Sequence, residues 1–208
     1  GVDAFDIEVD ATDPEAFIAA VKAIAPTFGA INLEDIKAPE CFEIERRLKA
    51  ELSIPVMHDD QHGTAIISGA GLLNALELVG KPIEDVRIVV SGAGAAAIAC
   101  AKLYCDLGAK HENIVMTDSQ GVITVDRTDL NDMKREFATT RTELRTLADA
   151  MREADVLVGL SKGGMVSQEM VRSMAARPII FALANPTPEI SYEEAKAANP
   201  EVLMSTGR

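Results

Sequence analysis

The chain has 208 residues, 33 acidic and 20 basic, for a formal net charge of −13. Its 48% hydrophobic and 25% charged residues exclude a disordered chain, and a domain of this size buries roughly 70% of the surface its unfolded form exposes, so no disulfide or metal staple is required. The acidity and the absence of any clustered basic run exclude a nucleic-acid footprint, which needs Lys and Arg gathered against phosphates.

The three cysteines, Cys41, Cys100 and Cys105, are odd in number and lack CxxC spacing. They read as small core residues in a reducing cytoplasm rather than as a disulfide framework. Residues 1–6 offer neither a basic nor an apolar leader segment, and no window reaches about 18 uncharged apolar residues, so neither an export signal nor a membrane span is expected.

Taken in chain order, the first predicted helix is capped by Asp13. Pro14 sits in its first turn, where a missing N–H costs nothing, and Phe17, Ile18, Val21 and Ile24 recur at helical spacing. A strand over 30–33 ends in Glu34 and Asp35. A charged surface helix over 39–52 leads to a strand over 54–57, which ends in His58, Asp59 and Asp60. The helix over 62–79 is rich in Ala, Gly and Leu, which suggests close packing against another backbone, and Lys81-Pro82 ends it. The β-branched run at 86–90 predicts a buried strand, followed at once by Gly92-Ala93-Gly94, a helix over 95–107, and a strand over 113–117 ending at Asp118. Helices over 144–153 and 167–174 feed strands over 155–159 and 178–183. Residues 124–142 lack periodicity and read as a polar excursion. This alternation predicts an α/β fold: a Rossmann-type doubly wound parallel sheet over 59–208, preceded by part of a second α/β domain over 1–58.

The glycine stretch satisfies GxGxx[GA] between a predicted strand and a predicted helix. In such a turn Gly92 permits the tight bend, Gly94 lets a pyrophosphate approach the backbone, Ala97 allows close packing of helix on strand, and Ala93, Ala95 and Ala96 line the rest. Asp118, at the end of the next strand, stands where a carboxylate meets the adenosine ribose. A glycine used merely to turn the chain remains the alternative. Asp118 by itself favours NAD, whereas Ser119 with Arg127, Lys134 or Arg135 folded back favours the 2′-phosphate of NADP. The spacing leaves both open.

Glu34 and Asp35 at one strand end, and Asp59 and Asp60 at another, lie on the same edge if the strands are parallel. There their hard oxygens suit Mg²⁺ or Mn²⁺ beside a nicotinamide. Helix capping accounts for Asp60 equally well. His58 and His62 stand four apart across a strand-to-helix break, where a structural or capping role is the plainer reading.

Taken together, these stretches resemble the malic enzymes, specifically the larger bacterial type. The resemblance rests on INLEDIKAPECFEIE at 31–45, IPVMHDDQHGTA at 54–65, VVSGAGAAAIACA at 89–101, TDSQG at 117–121, FALANPTPEI at 181–190 and STGR at 205–208. It implies that Glu34, Asp35 and Asp60 bind the divalent metal and that Asp59 supports a catalytic lysine. It also implies that Ser161 and Asn185 join the glycine loop, Asp118 and Ser119 in the cofactor pocket. The reaction it implies is oxidation of malate, decarboxylation, and protonation of enolpyruvate to pyruvate, with hydride passing to NADP⁺ or NAD⁺, in a cytoplasmic homo-oligomer. Gln120 departs from the basic residue often found at this position in NADP-using relatives. The family's tyrosine acid and lysine base are expected upstream, since neither Tyr104 nor Tyr192 nor any lysine here matches them. The expectation is therefore an internal piece of a longer enzyme, inactive by itself, with more of the substrate domain and an acyltransferase-like region beyond it. Two other classes compete: a non-catalytic dinucleotide-binding module, which needs no carboxylate cluster, and a metal-independent 2-hydroxy-acid or amino-acid dehydrogenase.

Overall fold

The computed structural model describes residues 1–207, so Arg208 of the STGR stretch lies outside the described residues. The chain divides into two compact units, Gly1–Asp60 and Gln61–Arg208.

In the first unit, α1 (Pro14–Ile24) begins as expected, with Asp13 Oδ2 accepting from the Ala16 N–H at 3.0 Å. It is followed by β1 (Ile31–Leu33), α2 (Glu40–Glu51) and β2 (Val56–His58). The two strands pair in parallel, Leu33 opposite His58. Ile44 and Leu48, one helical turn apart on α2, join Ile18, Val21, Leu33 and Val56 in a single apolar cluster. Each such side chain contributes about 1.5–3 kcal/mol on burial. The outer face of α2 carries charge: Arg47 pairs with Glu15 and Glu51, and Arg46 with Glu43.

The helix α3 (Asp59–Val79) starts directly at the end of β2, and the second unit then runs β3 (Ile88–Ser91), α4 (Ala95–Asp106), β4 (Ile114–Asp118) and β5 (Gly121–Val122). It continues through α5 (Asp132–Arg135), α6 (Leu147–Met151), β6 (Val156–Gly159), α7 (Gln168–Ser173), β7 (Ile179–Ala182), α8 (Tyr192–Ala198) and β8 (Leu203–Thr206). Six strands form one sheet in the order β5-β4-β3-β6-β7-β8, parallel except for β5 at the edge. Strands β3, β6 and β7 are buried along their whole length, which is why their sequences read as apolar runs rather than as alternating patterns. The small residues of α3 admit side chains rather than a backbone: a Cβ at Gly69 would stand 3.0 Å from Leu103 Cδ2 of α4. No helix of the described residues is long and apolar enough to cross a membrane.

Three elements depart from expectation. Residues 124–142 are packed rather than an excursion: Thr124 bridges Thr139, Asn131 caps α5, and Phe137 is buried with its ring stacked on His111. The predicted 144–153 helix shortens to α6, because its start is set by a capping box in which Thr146 and Asp149 satisfy each other's backbone N–H groups. The third departure is at the C-terminal end, where α8 and β8 follow the last predicted strand. The signal for α8 was present in the sequence, since Ser191 and Glu194 form the same box.

Candidate functional site: the C-terminal edges of two parallel sheets

Strand β3 lies between β4, which follows it in sequence, and β6, which the chain reaches by crossing back over the sheet. That reversal is a topological switch point at the C-terminal ends of β3 and β6, the place where doubly wound sheets receive ligands. Residues 92–94 leave β3 there, and Leu160 and Ser161 leave β6. The two exits are stitched together, with Leu160 N donating to Ser91 O at 2.8 Å and Ser91 Oγ lying 2.9 Å from Ser161 Oγ.

Gly92 and Gly94 are glycines for different reasons. Gly92 has φ +124°, and a Cβ there would stand 2.5 Å from Leu160 O, so the fold itself demands the residue. Gly94 caps α4 with φ −85° and would meet nothing within 4 Å. Neither conformation nor packing requires glycine at 94. Among the described residues no side chain caps α4, which leaves the first-turn N–H groups and the positive end of the helix dipole at this end of the sheet. Ala93, Ala95 and Ala96 are partly exposed around it, while Ala97 is buried against the sheet.

Asp118, at the end of β4, is fully engaged. Arg127 Nη1 and Nη2 donate to its two oxygens at 2.8 and 3.0 Å, Lys134 Nζ at 2.8 Å and Gln120 N at 3.0 Å. These four bonds fill the roughly four acceptor positions of a carboxylate. Burial opposes its ionisation, but Arg127, Lys134 and the Gln120 N–H outweigh burial and hold the carboxyl far below the usual range. Arg127 also bonds Asp129, while Arg135 turns away to Leu130 O. Ser119 and Gln120 are exposed beside this group.

Ser161 and Asn185 stand at the exits of β6 and β7 and are both exposed. Beneath them lies Glu189, fully buried, which sequence reasoning passed over. Its carboxylate accepts from Ser161 N and Ala184 N, each at 3.1 Å.

The edge of the two-stranded sheet carries the other acids. Glu34 and Asp35 follow β1 and are exposed, with Asn32 Nδ2 donating to Glu34 Oε1 at 3.0 Å. Asp35 has φ 56°, a strained conformation for a residue with a side chain, and its N–H donates to Asp60 Oδ2 at 3.0 Å. Asp59 and Asp60 form the first turn of α3, so Asp60 does not stand before the helix as a cap would. His58 is fully buried, its Nε2 is 3.5 Å from Asp60 Oδ2, and among the described residues neither ring nitrogen has a hydrogen-bond partner. The donor chemistry of Glu34, Asp35 and Asp60 suits a hard divalent cation. Among the described residues, however, no three His, Cys, Asp or Glu side chains are grouped to hold a metal ion.

Neither tyrosine is placed for proton transfer. Burial pushes the Tyr104 phenol well above its ordinary value, and its O–H is committed to Ser68 Oγ at 2.8 Å. Tyr192 is exposed on α8 beneath Lys196. The cysteines are unpaired, Cys41 and Cys100 in the core and Cys105 partly buried.

Residues 61–208 match the family model of the malic enzyme NAD binding domain, and residues 6–49 that of the malic enzyme N-terminal domain. The chain is 56% identical over 208 residues to the NADP-dependent malic enzyme of Halomonas elongata, covering all of this chain and 49% of that protein. It is 52% identical to an NAD-dependent malic enzyme of Rhizobium meliloti, covering 27% of it. Among solved structures, NAD-dependent malic enzyme from Thermotoga maritima superposes on the whole chain with a TM-score of 0.93 at 42% identity, over 55% of its own length. The chain thus spans about half or less of the relatives it matches. Both the sequence matches and the shared architecture lead to one assignment: this chain belongs to the malic enzyme family and contains its NAD(P)-binding domain.

Proposed function

We propose that the protein carrying this chain oxidises malate with NADP⁺, accepting NAD⁺ less well, and releases pyruvate and CO2. In this reading residues 59–208 hold the dinucleotide and residues 1–58 contribute part of the substrate and metal domain. The observation that carries it is Gly94, a helix cap whose missing side chain serves nothing within the protein and clears the way for a pyrophosphate. Gly92 to Ala97 would hold that pyrophosphate on the α4 N–H groups, and Ser161 and Asn185 would meet the nicotinamide half. Arg127 and Lys134, held beside exposed Ser119, support a 2′-phosphate; Asp118, its lone pairs filled, serves as their anchor rather than as a ribose acceptor.

Glu34, Asp35 and Asp60 are the residues that would hold Mg²⁺ or Mn²⁺. A divalent cation bound to them supplies polarisation of the carbonyl that forms at malate C2. Asp59 would orient a lysine base from elsewhere in the protein. The C2 hydrogen leaves as hydride to the nicotinamide, the hydroxyl proton goes to the base, and the electron pair of the broken C–C bond ends in an enol that is protonated at C3. Neither Tyr104 nor Tyr192 supplies that proton, so the 208 residues alone should not turn malate over. The unpaired cysteines support a cytoplasmic setting, and we assign a homo-oligomer by family likeness.

The test is NAD(P)H formation from malate with Mn²⁺, comparing kcat/KM for the two cofactors. An NAD preference of about tenfold or more overturns the NADP assignment. The lack of a grouped set of metal ligands among the described residues favours one alternative, a dinucleotide-binding module without turnover. It predicts cofactor binding that is indifferent to EDTA and no product from malate, whereas the enzyme reading predicts activity abolished by EDTA and restored by Mn²⁺.

A further inference from the structure

We infer that Glu189 is a positioning residue for the nicotinamide half of the dinucleotide site, holding the loops after β6 and β7 at one height through their backbone N–H groups. The inference rests on the dinucleotide reading above. A buried carboxylate is costly unless its bonds repay the loss of water. Among the described residues no Lys, Arg or His forms a salt bridge with Glu189, whose ligands are instead the two loops: Oε1 accepts from Ser161 N and Oε2 from Ala184 N, each at 3.1 Å.

The fit around it is tight. Gly159, the last residue of β6, has no Cβ, and one built there would lie 2.3 Å from Glu189 Cδ. Val166 N donates to Glu189 O, and Gly164 N to Pro188 O, both at 3.0 Å, so the segments 159–166 and 184–190 are laced together along their lengths. From Ser161 the connection continues to Ser91 Oγ, and through Leu160 to the tight turn at Gly92. A doubly wound sheet binds one mononucleotide on each side of the switch point. The glycine turn and Asp118 occupy the β3–β4 side, which leaves β6 and β7 for the nicotinamide mononucleotide. Glu189 sits under both of their exits.

An amide in place of this carboxylate offers one oxygen and one NH2. In Glu189→Gln either Ser161 N or Ala184 N therefore faces a donor, and one loop must lift. The experiment measures Kd for NADP⁺ and for adenosine 2′,5′-bisphosphate, which fills only the adenosine half, on the wild-type protein and on Glu189→Gln. We expect NADP⁺ affinity to fall by about tenfold and the bisphosphate to change less than about twofold. Equal losses for both ligands would make Glu189 a general structural residue, and no loss for either would remove it from the site. A wild-type protein that binds neither probe would instead sink the dinucleotide reading.

Amide hydrogen exchange in the wild-type protein provides a second arm that does not depend on the folding of the variant. NADP⁺ should slow exchange at Ser161 and Ala184 while the bisphosphate leaves them unchanged. Equal protection by the two ligands, or none by either, overturns the inference.

Discussion

The two sheet edges hold their acids in opposite states. At the six-stranded sheet, Asp118 and Glu189 are both saturated, one by two cations and a backbone N–H, the other by two backbone N–H groups. At the two-stranded sheet, Glu34 and Asp35 are exposed, and among the described residues Asp60 accepts a backbone N–H on one oxygen only and the buried His58 ring has no hydrogen-bond partner. In the proposed reading the difference follows from what each edge would receive. A dinucleotide is an anion held by N–H groups, so the protein can complete that site alone, using its acids as braces. A cation must be met by free carboxylate oxygens, and acids kept unpaired repel one another until it arrives.

Substitutions can break this contrast, and the largest effect is expected at the finished edge. Gly92→Ala puts a Cβ against Leu160 O at a backbone conformation unfavourable to alanine, and should cost about 2–4 kcal/mol in denaturant unfolding along with dinucleotide binding. At the open edge, Asp60→Asn removes a negative ligand without touching a core. Calorimetric Mn²⁺ titration should show affinity reduced by about a hundredfold, with the unfolding midpoint little changed. Equal Mn²⁺ affinities for the two proteins would move the metal away from this edge.

Gly94→Ala separates fold from ligand most sharply. Its Cβ meets only open space, so stability should hold or rise by about 0.5 kcal/mol while the Kd for NADP⁺ rises about tenfold. A variant that binds as tightly as the wild type would leave Gly94 without a ligand-related reason. Lys134→Gln is expected to do less, lowering the ratio of NADP to NAD kcat/KM by about three- to tenfold. An unchanged ratio would make Lys134 a brace for Asp118 alone.

The smallest effect is one of pH. Because the folded-state pKa of Asp118 is depressed, its contribution to stability is fully present above the unfolded value of about 3.9 and is lost as pH falls towards the folded value. The difference in unfolding midpoint between wild type and Asp118→Asn should therefore be constant from pH 7 to about pH 5 and shrink below about pH 4. A difference that grew on acidification would reverse the sign and discard the pairing.

Local signals in the chain were sufficient to read α1 with its Asp13 cap, the buried strands β3, β6 and β7, and the glycine turn into α4. Each follows from residue type and spacing over a few positions, where backbone sterics and burial act directly. The sequence also named Glu34, Asp35, Asp59 and Asp60 at one edge and Asp118 at the other. It could not say that Asp118 is already claimed, because Arg127 and Lys134 lie 9 and 16 residues away and reach it only after residues 124–142 fold back as a packed segment. Nor could it single out Glu189, whose donors Ser161 and Ala184 are brought together only when β6 and β7 pair. Local chemistry thus determined which residues carry charge and where the chain turns. Tertiary structure alone decided which of those charges are spent within the fold and which remain for a ligand, since a buried carboxylate's state depends on donors that distant segments supply.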